Sequence, residues 1–432
     1  MVKKSLNYLS IPLRFITVRE VGVIINLVIK LISTCIIVIL FLLTGNNSLA
    51  QKTDSILLND IFIQPELLFG KIVPTRKPFP YSAGVTTGMV SVGIINNNRE
   101  KYWNNYYNYP TAGVSFSYTN LGNEIVFGDA FSIAPFIQFK WSKHKINTSY
   151  FKFGIGTSYF MKYYNKATDS TNLMIGSHFT WNFQIAGYRY IYNGSSINIK
   201  VGIAYIHNSN GHIQLPNNGL NTANISLAAE VFTRKSDIRN CYPGDSLCMD
   251  RSNHYFFQVR DGNGVQEFGG RNGPAGSTKK GVYTAAMSGG IIFNQQIKVH
   301  AGLAYRYYEH YYEYIMQLPD TSSFRKNPRW SASNVFVFLG CEFLIGHFSI
   351  AVDEGINLYK PFYPTFFKLF ESGPEVDFLL KKWIPSRMGL NYYLINTKYK
   401  PKDNIFIGAF INANFGQADF SEISIGYSHT FK

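Results

Sequence analysis

Hydrophobic and polar residues alternate with a period of two along much of this chain. The pattern is clearest in residues 131–141, 151–159 and 422–431, where apolar and often aromatic residues occupy every second position. Side chains of a β-strand point alternately to opposite faces, so such segments predict strands with one apolar and one polar face. Segments of roughly ten residues with this pattern are typical of strands that cross a membrane in a closed barrel.

We therefore predict an all-β fold, a transmembrane antiparallel β-barrel of the outer-membrane type with about 14 strands, the defensible range being about 12 to 16. Closure of the barrel pairs every backbone group that lipid cannot hydrogen-bond. Short connections are expected at the periplasmic end and longer ones at the outer end. The longer connections are predicted near residues 162–175, 209–221, 261–280, 311–332 and 359–387.

The first 50 residues have the order of features found in a secretory signal peptide. Basic residues come first, an apolar run follows at 31–43, and the small-residue site Ser48-Leu49-Ala50 precedes Gln51. We expect residues 1–50 to be a signal peptide and residues 51–432 to form the outer-membrane β-barrel.

Composition supports a membrane location over other classes of protein. The chain holds 30 Tyr and 35 Phe, and barrels place such aromatic rings in girdles at both membrane interfaces. The formal net charge is +15, although only 16% of the residues are charged. A basic excess suits an anionic membrane surface. Nucleic acid is not expected as a partner, because the basic residues are scattered and no nucleic-acid motif accompanies them.

One hairpin combines the residue types needed for acyl-ester hydrolysis. The apolar stripe of the strand 197–207 lies on odd positions, so the same parity puts His207 and Ser209 on the outer, membrane-facing side. The next strand has Ile225 and Leu227 outward, which places Asn221 on the same face. Polar groups at the edge of the hydrocarbon are costly and therefore indicate a function.

These residues predict a nucleophilic mechanism. His207 can take the proton of Ser209, whose oxygen then attacks an ester carbonyl, while Asn221 orients the imidazole. Backbone N–H groups of Asn210 and Gly211 are expected to support the oxyanion. Glu230 is excluded as the orienting group, because its parity places it in the barrel interior.

The motif resembles two families of outer-membrane acyl hydrolase. His207-x-Ser209-Asn210-Gly211, followed by Pro216-Asn217-x-Gly219, resembles the PagL-type lipid A 3-O-deacylases, in which the His and the Ser are catalytic and an acidic residue lies fourteen positions after the His. Here that position is Asn221. The spacing is also similar to outer-membrane phospholipase A, a family whose His–Ser–Asn trio requires calcium and dimerisation.

The leading hypothesis is a lipid A deacylase of the bacterial outer membrane that needs no cofactor or metal. The resemblance to phospholipase A implies an alternative, a calcium-dependent homodimer acting on phospholipid. A third reading is a porin or transporter without enzymatic activity.

Three other features receive ordinary structural interpretations. His212 is expected to be a solvated loop residue, and the carboxylates of Glu342, Asp353 and Glu354 are expected to line the barrel interior. Cys241 and Cys248 lie in a polar segment, where an oxidising compartment would allow a local disulfide.

Overall fold

The computed structural model describes residues 61–95, 106–107, 109–141, 149–232, 252–270, 273–371 and 373–431. The predicted signal peptide and the Cys241–Cys248 pair lie outside the described residues. Within the described residues, no helix combines the length and the hydropathy that a membrane span requires.

The first half of the chain forms a closed antiparallel barrel of eight strands. Its strands are β1 Ile61–Val73, β2 Val85–Ile95, β3 Thr111–Asn120, β4 Asp129–Lys140, β5 Ser149–Phe160, β6 Phe179–Asn193, β7 Ile197–Ser209 and β8 Leu220–Phe232. Each strand pairs with the next, and β8 pairs with β1 to close the barrel.

The second half forms another closed barrel of eight strands. Its strands are β9 His254–Gly270, β10 Gly273–Phe293, β11 Ile297–Tyr308, β12 Ser333–Ile345, β13 Phe348–Tyr359, β14 Pro385–Tyr393, β15 Asp403–Asn414 and β16 Gln417–Thr430. Pairing of β16 with β9 closes this barrel.

The predicted class, an outer-membrane type of antiparallel β-barrel, is confirmed, but the strand count differs from the central value of about 14 and lies at the upper end of the predicted range. The described residues form sixteen strands in two closed barrels of eight, whereas a single barrel was expected. Periodicity identifies strands without revealing which strands pair, and here β8 turns back to β1. The predicted loop 261–280 was also wrong, because β9 and β10 run through it. This segment is rich in glycine and polar residues, so the alternation of apolar and polar residues that predicts a strand is weak there.

Both barrels have an apolar outside and an interior filled by polar side chains. In the first barrel Lys200 lies 3.5 Å from Glu230, which is inside as its parity required. In the second, Asp353 lies 3.3 Å from Arg260 and 3.5 Å from Arg387. An eight-stranded barrel is just wide enough for side chains to fill it. This packing argues against the porin interpretation.

Among the three acidic residues predicted to line the interior, Glu342 and Asp353 are buried inside the second barrel. The prediction for Glu354 was wrong, since its side chain is exposed on the outer face of β13. Adjacent residues of a strand point to opposite faces, so Asp353 and Glu354 do not share the interior.

Short helices occupy the two long connections of the second barrel. Between β11 and β12 lie α1 Glu309–Gln317, a 3₁₀ turn Ser323–Lys326 and α2 Pro328–Ser331. Between β13 and β14 lie α3 Tyr363–Phe370 and α4 Glu375–Trp383, and a 3₁₀ turn Thr397–Tyr399 follows β14. Aromatic side chains of α1 and α3 pack with Phe268 and Phe420 into one buried cluster. These helices cover the outer end of the second barrel.

Candidate active site

The hairpin of β7 and β8 holds the residues singled out from the sequence. His207 is paired directly with Asn221 across the two strands. Both side chains are half-buried and follow the outward parity of Ile203 and Ile225, which are exposed. The imidazole and the amide therefore lie together on the outside of the first barrel, at the end with the longer connections.

A short hydrogen bond fixes the imidazole. His207 Nδ1 donates to Asn221 Oδ1 over 2.5 Å. An amide oxygen only accepts, so this bond requires the proton on Nδ1 and leaves Nε2 with its lone pair. That tautomer is the one a general base needs, since Nε2 is then free to accept a proton.

Ser209 is buried, and its hydroxyl oxygen faces two donors. Asn217 Nδ2 donates to Ser209 Oγ over 3.0 Å, and the Gly211 N–H donates over 3.3 Å. Within the described part of the chain, no hydrogen bond joins Ser209 to His207. Residues two apart on a strand are about 6.7 Å apart along it, so the hydroxyl must turn toward the imidazole to meet it.

The connection between the two strands, residues 210–219, is called the site loop here. Asn210 makes two hydrogen bonds within this loop. Its backbone N–H donates to Asn217 Oδ1 over 3.1 Å, and its side-chain Nδ2 donates to the Gln214 carbonyl over 2.7 Å. The Asn210 N–H is thus engaged inside the loop and does not face Ser209. The Gly211 N–H does face Ser209.

Gly219 leaves room for the His207 ring. Its φ of +72° is a left-handed conformation that glycine adopts without strain, and a Cβ built there would lie 2.9 Å from His207 Cε1. The last residue of the site loop therefore has a steric reason to be glycine.

Two aromatic side chains flank the site on β6. Trp181 is paired with Ser209 and Phe183 with His207. Their rings are stacked, with centroids 6.3 Å apart, and the Phe183 ring lies 6.1 Å from that of His207. They form an apolar surface beside the imidazole on the outside of the barrel.

His212 is buried, so the expectation of a solvated loop residue was wrong. Its exposed fraction is 4%, and its Nε2 has no hydrogen-bond partner among the described residues. The second barrel contacts both its backbone and its ring: the Glu267 N–H donates to the His212 carbonyl over 3.1 Å, and the imidazole lies beside the Ala418 backbone. Burial lowers the pKa of the His212 imidazole, and the nearby carboxylates of Asp419, Glu371 and Glu267 only partly oppose this effect.

Sequence reasoning missed the contacts of three residues near the site. Asn217 stands in the Pro-Asn-x-Gly stretch that carries the resemblance, which is the one signal that could have identified it. Glu267 and Ser421 reach the site loop from the second barrel, and no local pattern connects them with His207. Long-range contacts of this kind appear only in the folded chain.

Comparisons with solved structures give matches of low identity and low TM-score. The crystal structure of the outer membrane enzyme PagL is 16% identical with a TM-score of 0.27, and the match covers 38% of this chain and 97% of that one. CdiB from Acinetobacter baumannii is 9% identical with a TM-score of 0.16, covering 87% and 60%. An outer membrane channel from Pseudomonas putida F1 is 9% identical with a TM-score of 0.20, covering 88% and 100%.

The closed barrels and their apolar exteriors agree with the predicted location in the bacterial outer membrane. No curated protein matches the chain. A family model described as lipid A 3-O-deacylase (PagL) matches residues 96–230, less than half of the chain. This segment contains β3 to β7, the whole site loop and most of β8. The resemblance found in the motif is therefore confirmed: the segment 96–230 of the first barrel matches the lipid A 3-O-deacylase (PagL) family.

Proposed function

We propose that this protein is an outer-membrane hydrolase that removes an ester-linked fatty acyl chain from lipid A. The observation that carries the proposal is the His207–Asn221 hydrogen bond on the outside of the barrel, two residues from Ser209. It gives the imidazole the tautomer of a general base at a surface where a membrane lipid is the available substrate.

In the first step Ser209 is the nucleophile and His207 the base. The Ser209 oxygen bonds to the ester carbonyl carbon while its proton passes to His207 Nε2. The resulting oxyanion accepts hydrogen bonds from Asn217 Nδ2 and the Gly211 N–H, the two donors that already face Ser209. Asn221 keeps the imidazole in place throughout.

Collapse of this intermediate breaks the bond between the carbonyl carbon and the alcohol oxygen of the glycolipid. His207 returns the proton to that oxygen, and the fatty acyl group remains on Ser209. Water then attacks the acyl group with His207 again as base, releasing the fatty acid and restoring the serine. No metal ion or cofactor enters this mechanism.

The position of the site suits a substrate embedded in the outer leaflet. His207 and Ser209 lie near the end of β7 that leads into the site loop, and the exposed apolar side chains of the strand continue below them. The acyl chain is expected to lie along Trp181 and Phe183, so that its ester meets the serine. Burial of acyl methylene groups against these rings supplies binding energy.

Expression in a Gram-negative bacterium tests the proposal, with lipid A extracted and its mass measured. The wild-type chain is expected to produce lipid A lighter by one acyl chain, and Ser209→Ala is expected to leave the mass unchanged. Ser386→Ala is the matched control, because Ser386 is on the outer face of β14, which pairs with β13 and β15 and not with the strands that contact the site loop. Unmodified lipid A in cells with folded wild-type protein would contradict the proposal.

A second candidate, phospholipase A activity, is favoured by one observation. The orienting group is the amide of Asn221, as in the phospholipase trio, where the deacylase family has an acid. This candidate predicts calcium-dependent release of lysophospholipid by a homodimer. Fatty acid released from phospholipid vesicles with calcium, and none from lipid A, would favour it.

A further inference from the structure

The second barrel contacts the site loop of the first. A Cβ built on Gly211 would lie 2.1 Å from Ser421 Oγ, so glycine allows Ser421 of β16 to approach. Trp181 Nε1, beside Ser209 in the strand register, donates to the same hydroxyl over 3.1 Å. The wall of the site thus includes a residue from the other barrel.

Glu267 of β9 holds the site loop at two points. Its backbone N–H donates to the His212 carbonyl over 3.1 Å, and its carboxylate accepts from the Leu215 N–H over 2.5 Å. The side chain is buried, with an exposed fraction of 5%. A buried carboxylate is tolerated where hydrogen bonds satisfy it, and here a backbone donor of the other barrel does so.

These two anchors lie next to the donors that face Ser209. His212 follows Gly211, and Leu215 precedes Asn217 by two residues. Fixing the backbone at both points limits where the Gly211 N–H and the Asn217 amide can be. Hydrogen-bond donors stabilise an oxyanion only when they are held in position before it forms.

We infer that Glu267 is a positioning residue through which the second barrel holds the site loop of the first in its working conformation. This inference rests on the proposed function, because its readout is the hydrolysis of lipid A. Glu267 touches no reacting atom and acts through Gly211 and Asn217. The Leu215 N–H requires a side-chain oxygen at position 267 that accepts its hydrogen bond, and the negative charge of the carboxylate is not required.

Three substitutions in the full chain separate this role from a general structural one. Glu267→Ala and Glu267→Met both remove the acceptor, and the methionine keeps the volume of the buried side chain. Glu267→Gln keeps a side-chain oxygen at the same reach. Glu354→Ala is the matched control, because Glu354 is an exposed glutamate of the same barrel with no ion pair or hydrogen bond among the described residues. Initial rates are measured with purified lipid A in detergent micelles.

We expect Glu267→Met and Glu267→Ala to lower kcat about 10- to 100-fold, the effect of misplacing catalytic groups by about 1 Å, with KM changed less than about twofold. Glu267→Gln is expected to regain most of the lost kcat, and the Glu354 control to match the wild type. If Glu267→Ala does not fold, the kcat of Glu267→Met tests the positioning role.

Three results separate the positioning role from the function on which it rests. An active wild type with an equally active Glu267→Met variant overturns the positioning role alone, as does a glutamine variant no better than methionine. A folded wild type that releases no fatty acid from lipid A overturns the proposed function.

Discussion

His207 of β7 and Asn221 of β8 are direct cross-strand partners, and the imidazole Nδ1 donates to the amide Oδ1 over 2.5 Å. Because the two strands are paired at these residues, the backbone places the two side chains next to each other on the same face. The arrangement requires an acceptor at position 221 and makes no demand for a negative charge there.

We predict that Asn221→Leu lowers kcat on the order of 10²- to 10⁴-fold, because an apolar side chain of similar size cannot accept the Nδ1 proton. Asn221→Asp is expected to keep or raise kcat, since a carboxylate of the same length accepts that proton and stabilises the imidazolium. Release of fatty acid from lipid A by the purified variants measures both. Equal rates for leucine and wild type would show that Asn221 does not orient the base.

Asn217 is predicted to be an oxyanion donor. Its amide nitrogen lies 3.0 Å from Ser209 Oγ, so Asn217→Ala should lower kcat about 10²- to 10³-fold with little change in KM. Asn218→Ala, one residue further along the site loop, is the control, because the Asn218 amide donates to the Leu173 carbonyl and not toward the serine. A loss confined to KM would assign Asn217 to substrate binding instead.

Substitution of Gly219 should act on the imidazole. Gly219→Ala places a methyl group 2.9 Å from His207 Cε1 and is expected to lower kcat at least about tenfold by displacing the ring. Gly416→Ala is a matched control, because Gly416 has a similar φ of +75° with no atom within 4 Å of the added Cβ. Both variants bear the same backbone strain, about 1–2 kcal/mol. Identical kinetics of the two variants would contradict a steric role at Gly219.

Acidification is predicted to loosen the site loop. Burial lowers the pKa of His212 below its ordinary value of 6.5. The covered imidazole therefore binds a proton more weakly than it does when the loop detaches. The covered state is accordingly favoured above about pH 6.5 and loses stability as the pH falls through the lowered value.

Hydrogen exchange measures how often the site loop detaches. Protection factors of the site-loop amides are compared between about pH 7.5 and pH 5. Protection should fall toward pH 5 in the wild type. His212→Asn tolerates the positive φ of 68° and carries no titrating ring, so its protection should stay level. A fall of the same size in the asparagine variant would assign the effect to another group.

The outward stripe of β7 could be predicted from sequence because alternation with a period of two depends only on neighbouring residues. The same parity put Asn221 across from His207 and Glu230 in the interior, where the structure has them. These inferences required only the pairing of two consecutive strands in one hairpin. The roles of His207, Ser209 and Asn221 in catalysis stay predictions.

The division into two barrels could not be predicted, because closure depends on the pairing of β8 with β1 and of β16 with β9. Alternation looks the same whether a strand continues one sheet or begins another. The burial of His212 was missed for the same reason, since the groups around it belong to the other barrel, including Glu267, whose N–H donates to the His212 carbonyl. Contacts between segments that are distant in sequence produce no local pattern of hydrophobic and polar residues, so the sequence does not predict them.

Deacylation of lipid A by Ser209 and His207 is tested by mass spectrometry of purified lipid A incubated with the purified protein in a buffer containing a calcium chelator. We expect loss of one fatty acyl chain with the wild type, and lipid A of unchanged mass with Ser209→Ala and with His207→Ala. Intact lipid A in the wild-type reaction, or equal deacylation by the Ser209→Ala variant, would contradict it.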